Sequence, residues 1–138
     1  MKLFLLVIAT IILFSSCHLF QSVMNRDRET GAIQTLRTFH NAQAQFQAMK
    51  GHFGTLEELA DSGLVSLNYT LNRQIAGYVY VSVSATPETY CIRAMTANEK
   101  RSERDFNMTE EGLVRYHQNK ESNATACGKG LSLTPKVD

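Results

Sequence analysis

The 138 residues include no tryptophan, only two prolines and three cysteines, and the charges nearly cancel, 14 Lys and Arg against 13 Asp and Glu. Each shortage removes a class of protein. Without a surplus or cluster of Lys and Arg there is no electrostatic footprint for nucleic acid, whose binding rests on neutralising phosphates. The densest charge run, residues 99–105 (EKRSERD), alternates in sign and reads as a solvated loop. Nucleophile elbow, P-loop and dinucleotide fingerprint are all missing, so neither an enzyme class nor a cofactor is indicated. Cys-x-x-Cys and His-x-x-x-His spacings are missing too, and His18, His40, His52 and His117 are scattered, so no metal site is predicted. Glu57, Glu58 and Asp61 stand close together, but helix capping and solvation explain them better than acid–base work. Asp105, Glu110 and Glu111 lack the spacing of a calcium loop. No apolar run reaches the roughly 20 residues of an ordinary membrane-spanning helix. The length suits one domain with one core.

What the sequence does contain starts at its first residues. Lys2 precedes residues 3–14, an uncharged apolar run, and then Ser15-Ser16-Cys17. A basic start, an apolar centre and small residues before a cleavage point predict a signal peptide over residues 1–16, and hence export. Removing it leaves 14 − 1 = 13 basic against 13 acidic residues. The stretch Leu13-Phe14-Ser15-Ser16-Cys17 resembles the lipobox of bacterial lipoproteins, with Phe14 where Leu is usual. That resemblance implies cleavage before Cys17, a diacylglyceryl group on its sulfur and a further acyl chain, typically palmitate, on its amine. Several chains anchor stably where one binds reversibly, because each buried CH₂ contributes about 0.8 kcal/mol. Ordinary cleavage nearby without lipid is the alternative.

Cys91 and Cys127 then remain as an even pair in an oxidising compartment, which predicts one disulfide. It would stabilise by at most about 4 kcal/mol on the chain-entropy estimate. Metal ligation by these cysteines is the weaker rival.

Residues 17–25 form the expected lipidated cysteine and short tether, and residues 26–138 the domain. Apolar residues at Ile33, Leu36, Phe39, Ala42, Phe46 and Met49 predict a helix over 27–50, with Gln34, Arg37, Asn41, Gln45 and Gln47 on its far side. Gly51 suits its C′ position. Thr55-Leu56-Glu57-Glu58 is a capping box opening a short second helix. From Gly77 the period drops to two: the valines of residues 78–84 (YVYVSVS) point one way and the tyrosines and serines the other. Exposed Tyr78 and Tyr80 would line a ligand site or pack under the C-terminal tail. A second strand is expected over 89–97, and a hairpin from residues 104–108 and 113–117. The polar tail after Gln118 is held only by Cys127. Together these predict an α+β fold, an N-terminal helix packed on an antiparallel sheet of about four strands. Asn-x-Thr sequons begin at Asn68, Asn107 and Asn123 and read as chance in a bacterial protein.

Four stretches in this order resemble the globular part of bacterial type IV pilins and pseudopilins, particularly the short ones. They are residues 29–43 (ETGAIQTLRTFHNAQ), 52–64 (HFGTLEELADSGL), 76–81 (AGYVYV) and 105–116 (DFNMTEEGLVRY). The pilin leader, a short basic segment ending in Gly followed by Phe and a Thr-x-x-Glu element, is missing. The family's peptidase site and helix-packing glutamate are therefore not carried over. A second reading makes the apolar front a worn pilin helix retained as an uncleaved anchor. The resemblance implies a non-enzymatic structural or interaction component of the cell envelope, associated with a pilus or secretion apparatus. Its expected partners are membrane lipid through Cys17 and envelope proteins, with the purified chain monomeric or weakly dimeric. Its expected place is the outer membrane or the outer face of the inner membrane. A free-standing ligand-binding module on the same scaffold is the rival, and a hydrolytic enzyme a distant third.

Overall fold

From Lys2 to Thr30 no glycine or proline interrupts the chain, and the computed structural model forms one α-helix there, α1, Lys2–Lys50. The structure describes residues 2–71, 74–97, 104–117 and 126–133, with side chains from residue 23 onward except at residue 117. At 1.5 Å per residue the 49 residues of α1 extend about 74 Å. The helix thus starts well before residue 27, and residues 18–25, read as a connector, continue it. Extending a helix adds one hydrogen bond per residue fixed, whereas starting a new one is costly, so a breaker-free stretch joins its helical neighbours.

Among the described side chains of α1, from residue 23 onward, the buried ones lie in its second half. Ala32, Leu36, Phe39, Ala42 and Phe46 are buried against the sheet, much as the 3.6-residue period predicts. The stripe sits slightly rotated from expectation: Ile33 is half-buried and Met49, in the last turn, is 58% exposed. Gly51, at φ 81°, ends the helix and its N–H donates to the Gln47 carbonyl at 2.8 Å. The short helix α2, Leu56–Asp61, opens with the predicted capping box. Glu58 N–H donates to Thr55 Oγ1 at 3.2 Å, and Thr55 N–H to Glu58 Oε2 at 2.8 Å. A single 3-10 turn, Leu67–Tyr69, leads towards the sheet.

The sheet is an antiparallel meander in chain order: β1 Tyr78–Ala85, β2 Tyr90–Thr96, β3 Asp105–Thr109, β4 Val114–His117 and β5 Leu131–Ser132. The helix packs on one face, so the fold is α+β as predicted. The fifth strand, two residues from the tail, was not expected; no alternation can mark so short a segment.

The face of β1 is the main correction. Tyr78 and Tyr80 are buried, 0% and 3% exposed, while Val79 and Val81 lie on the outer face and Val83 is half exposed at the register shift between Ser82 and Ser84. Tyrosine wins the inner face because its ring carries more apolar area than valine and packs edge-on against other rings. Phe39 meets Tyr69 at 4.8 Å and Tyr80 at 5.4 Å, both nearly perpendicular. Tyr78 keeps its hydroxyl satisfied by donating to the Arg104 carbonyl at 3.0 Å.

Candidate functional site

At its front, α1 leaves the body of the domain. Glu29 on α1 reaches Arg104 beside β3, and the first buried side chain among the described ones is Ala32. Val23 and Met24, further forward, are 58% and 38% exposed. Cys17 lies on the same helix, roughly 22 Å of helical rise before Ala32. Its side chain, like those of residues 3–14 and His18, is outside the described residues. Among the described residues no helix is long and apolar enough to cross a membrane.

Glu29 fixes the angle at which α1 meets the sheet. Its carboxylate accepts from Arg104 N–H at 2.8 Å, from Nε at 3.1 Å and from a terminal guanidinium nitrogen at 2.7 Å. The Arg104 guanidinium also lies over the Tyr116 ring, 4.3 Å from its centre. Hydrogen bonding to Glu29 pushes the Arg104 pKa up, which favours the charged guanidinium.

Two buried amides fasten the two ends of the domain. Gln43 on α1 is fully buried; its Nε2 donates to the Gly54 carbonyl at 2.6 Å, and Gly54 N–H donates to its Oε1 at 2.9 Å. Gly54 must be glycine here, since a Cβ would come within 2.8 Å of the Phe46 ring. Asn107 on β3, also fully buried, does the same for the tail. Gly128 N–H donates to its Oδ1 at 3.1 Å, and its Nδ2 donates to the Lys129 carbonyl at 3.1 Å. The predicted Cys91–Cys127 disulfide is present beside this clasp, with 5.8 Å between Cα atoms.

The remaining candidates are dispersed. Glu58 closes its capping box, Asp105 accepts from Thr96 N–H at 2.7 Å, and Glu111 pairs with Arg115 at 2.8 Å. His40 Nδ1 meets the Tyr90 hydroxyl at 2.6 Å, and His52 Nδ1 lies 2.9 Å from the Phe53 carbonyl. Burial, reinforced by the nearby Glu110 charge, raises the Tyr90 pKa and keeps that hydroxyl neutral. The side chain of His117 lies outside the described residues. Among the described residues no group of three His, Cys, Asp or Glu side chains is placed to hold a metal. A surface hollow of about 360 Å³ is lined by Ser66, Asn68, Tyr69, Gln74 and Ile75; among these described residues the Tyr69 hydroxyl is the titratable group. Of the sequons, Asn107 has both amide groups engaged inside the fold, Asn68 is exposed and Asn123 is outside the described residues.

Neither protein-family models nor curated proteins yield a match to this chain. The residues that do most to position the ends of the domain, Glu29, Gln43, Arg104 and Asn107, were not singled out by the periodicity. Gln43 carried the clearest signal, a polar residue four positions after Phe39 on the apolar side of the helix. Asn107 follows Phe106 on the opposite face of β3, and only the returning tail makes that face an interior.

Proposed function

We propose that this chain is a membrane-anchored, non-enzymatic component of a bacterial cell envelope, a pilin-like domain carried on a helical stalk and serving a pilus, secretion or adhesion apparatus. The observation that carries this is the division of α1: residues 32–46 bury their apolar stripe in the domain, while the same unbroken helix runs forward through exposed Val23 and Met24 to the uncharged run of residues 3–14. A helix that serves one core with its back half leaves its front half to carry an anchor, either lipid at Cys17 or the apolar run itself if it is retained. The four pilin-like stretches support the same reading. Two of them are joined by the Gln43–Gly54 clasp, and a third begins beside Arg104, the partner of Glu29.

Anchoring is assigned to lipid on Cys17, with retention of residues 1–16 as the alternative anchor. Either way the domain stands off the membrane on several turns of helix, its sheet available to envelope partners. Fractionation tests this: the wild-type protein should partition into detergent and Cys17→Ser into the periplasmic or medium fraction. Wild-type protein recovered in water, starting at residue 18 or later without lipid, would defeat the proposal. The ligand-binding alternative rests on the hollow beside Tyr69 and Ile75. Calorimetry or chemical-shift changes at those residues on adding a small-molecule library would favour it.

A further inference from the structure

Residues 126–133 form a strap across the outer face of the sheet. Its attachment points are all separable from the body: Cys127 to Cys91 on β2, Gly128 and Lys129 to the Asn107 amide on β3, Leu131 and Ser132 to Tyr116 and Arg115 on β4, and Leu133 N–H to the Val114 carbonyl at 3.0 Å. Leu133, half-buried against the core, is the strap's chief apolar contact, while Leu131 is 54% exposed. So little buried area means that the covalent bond, not burial, decides whether the strap stays seated. Without it, Asn107 would lose both hydrogen-bond partners and β4 would become an open edge, a template for another strand. Eight residues, 118–125, separate the strap from β4 in the sequence.

We propose that the strap is exchangeable: before the disulfide forms, the vacated groove on β2–β4 accepts the strap of a second copy of this chain, and oxidation then locks a strap-exchanged dimer. Every contact made within one chain is available between two, because groove and strap are the same surfaces in each copy. The locking step is a two-electron oxidation. The Cys91 thiol of one copy and the Cys127 thiol of the other give up two protons and two electrons to a small disulfide oxidant, which becomes two thiols. The competing intramolecular strap has an effective concentration on the order of mM. Exchange should therefore be about one part in a hundred near 10 µM chain and comparable to self-closure near 1 mM. Confinement to a membrane surface would favour exchange further.

The test uses full-length chain in detergent with micelles in excess of chains. Equal amounts of nitrogen-14 and nitrogen-15 protein are reduced with a dithiol, mixed and reoxidised with oxidised glutathione over this concentration range. Mixed-label Cys91–Cys127 peptides should rise about tenfold, relative to same-label ones, between about 10 and 100 µM chain and then level off as exchange nears self-closure at about 1 mM. In the isolated dimer the Gly128 and Leu133 amides should be protected from hydrogen exchange as in the oxidised monomer. Same-label pairs alone at every concentration would overturn the proposal. So would mixed-label pairs in which those two amides exchange as freely as in reduced protein, since that is cross-linking without docking.

Discussion

Replacing Gln43 tests how the start of the second helix is held to the first. Its side chain is fully buried and makes both hydrogen bonds to Gly54, at 2.6 and 2.9 Å. Gln43→Ala deletes those bonds and leaves a buried N–H and a buried carbonyl without partners, each costing about 1–3 kcal/mol. A residual cavity adds to this, so a loss of roughly 3–5 kcal/mol is expected. For a domain of this size that lowers the melting temperature by more than about 12 °C. Gln43→Glu is the sharper probe, because it keeps the shape and the acceptor for Gly54 N–H. Its second oxygen faces the Gly54 carbonyl and can bond there only when protonated, so its folded-state pKa is raised above the unfolded value near 4.3. A carboxyl with a raised folded pKa contributes stability that is fully present below about pH 4.3 and lost as pH rises through the folded value. Urea unfolding of the three proteins at pH 4 and pH 7 measures this. Gln43→Ala within 1 kcal/mol of wild type, or Gln43→Glu with no loss between pH 4 and pH 7, would refute the clasp.

Cys91→Ser or Cys127→Ser should raise hydrogen exchange at Gly128 and Leu133 by orders of magnitude while leaving residues 32–46 of α1 protected, because those carry their own apolar stripe; equal loosening of both would contradict this. Glu29→Gln should cost about 1–2 kcal/mol, discounted because Arg104 is partly solvated, and should be read by thermal melts at low and high salt; unchanged melting would remove Glu29 as the tie between helix and sheet. The Tyr90 hydroxyl, raised by burial, is neutral in the fold and ionises more easily in the unfolded chain, so its stabilisation is present below about pH 10 and lost as pH rises beyond it. Tyr90→Phe should flatten the alkaline limb of a stability–pH profile and cost about 1 kcal/mol at neutral pH through the His40 bond; an unchanged alkaline limb would assign that limb elsewhere.

Local physics made part of this molecule legible. The capping box at Thr55 and Glu58, the left-handed stop at Gly51 and the stripe around Phe39 depend on neighbours a few residues away, and each appears where the pattern put it. The Cys91–Cys127 bridge followed from counting thiols in a chain expected to be exported. The inner face of β1 was misread because alternation shows that two faces exist but not which one is buried. With valine opposed to tyrosine, the aromatic cluster of Phe39, Tyr69 and Tyr80 made the choice, and it forms only when helix, turn and strand meet. Gln43 and Asn107 were missed for the same reason. A buried amide is tolerable only with all its partners in place, and those partners are backbone groups 11 and 21–22 residues away. The leading reading began the helix at residue 27 because the buried stripe begins near Ala32, while the backbone, free of glycine and proline from Lys2 to Thr30, continues the helix forward as the second reading had it.

The proposed membrane anchor is tested most directly by the mass of the N-terminus of protein purified from the cells that make it. Lipid anchoring predicts a first residue at Cys17 carrying a diacylglyceryl group on sulfur and an acyl chain on its amine. An intact Met1 in the membrane fraction would keep the anchor but transfer it to residues 3–14. An unmodified N-terminus at residue 18 or beyond, on protein that stays in the aqueous phase, would contradict a membrane-anchored role outright.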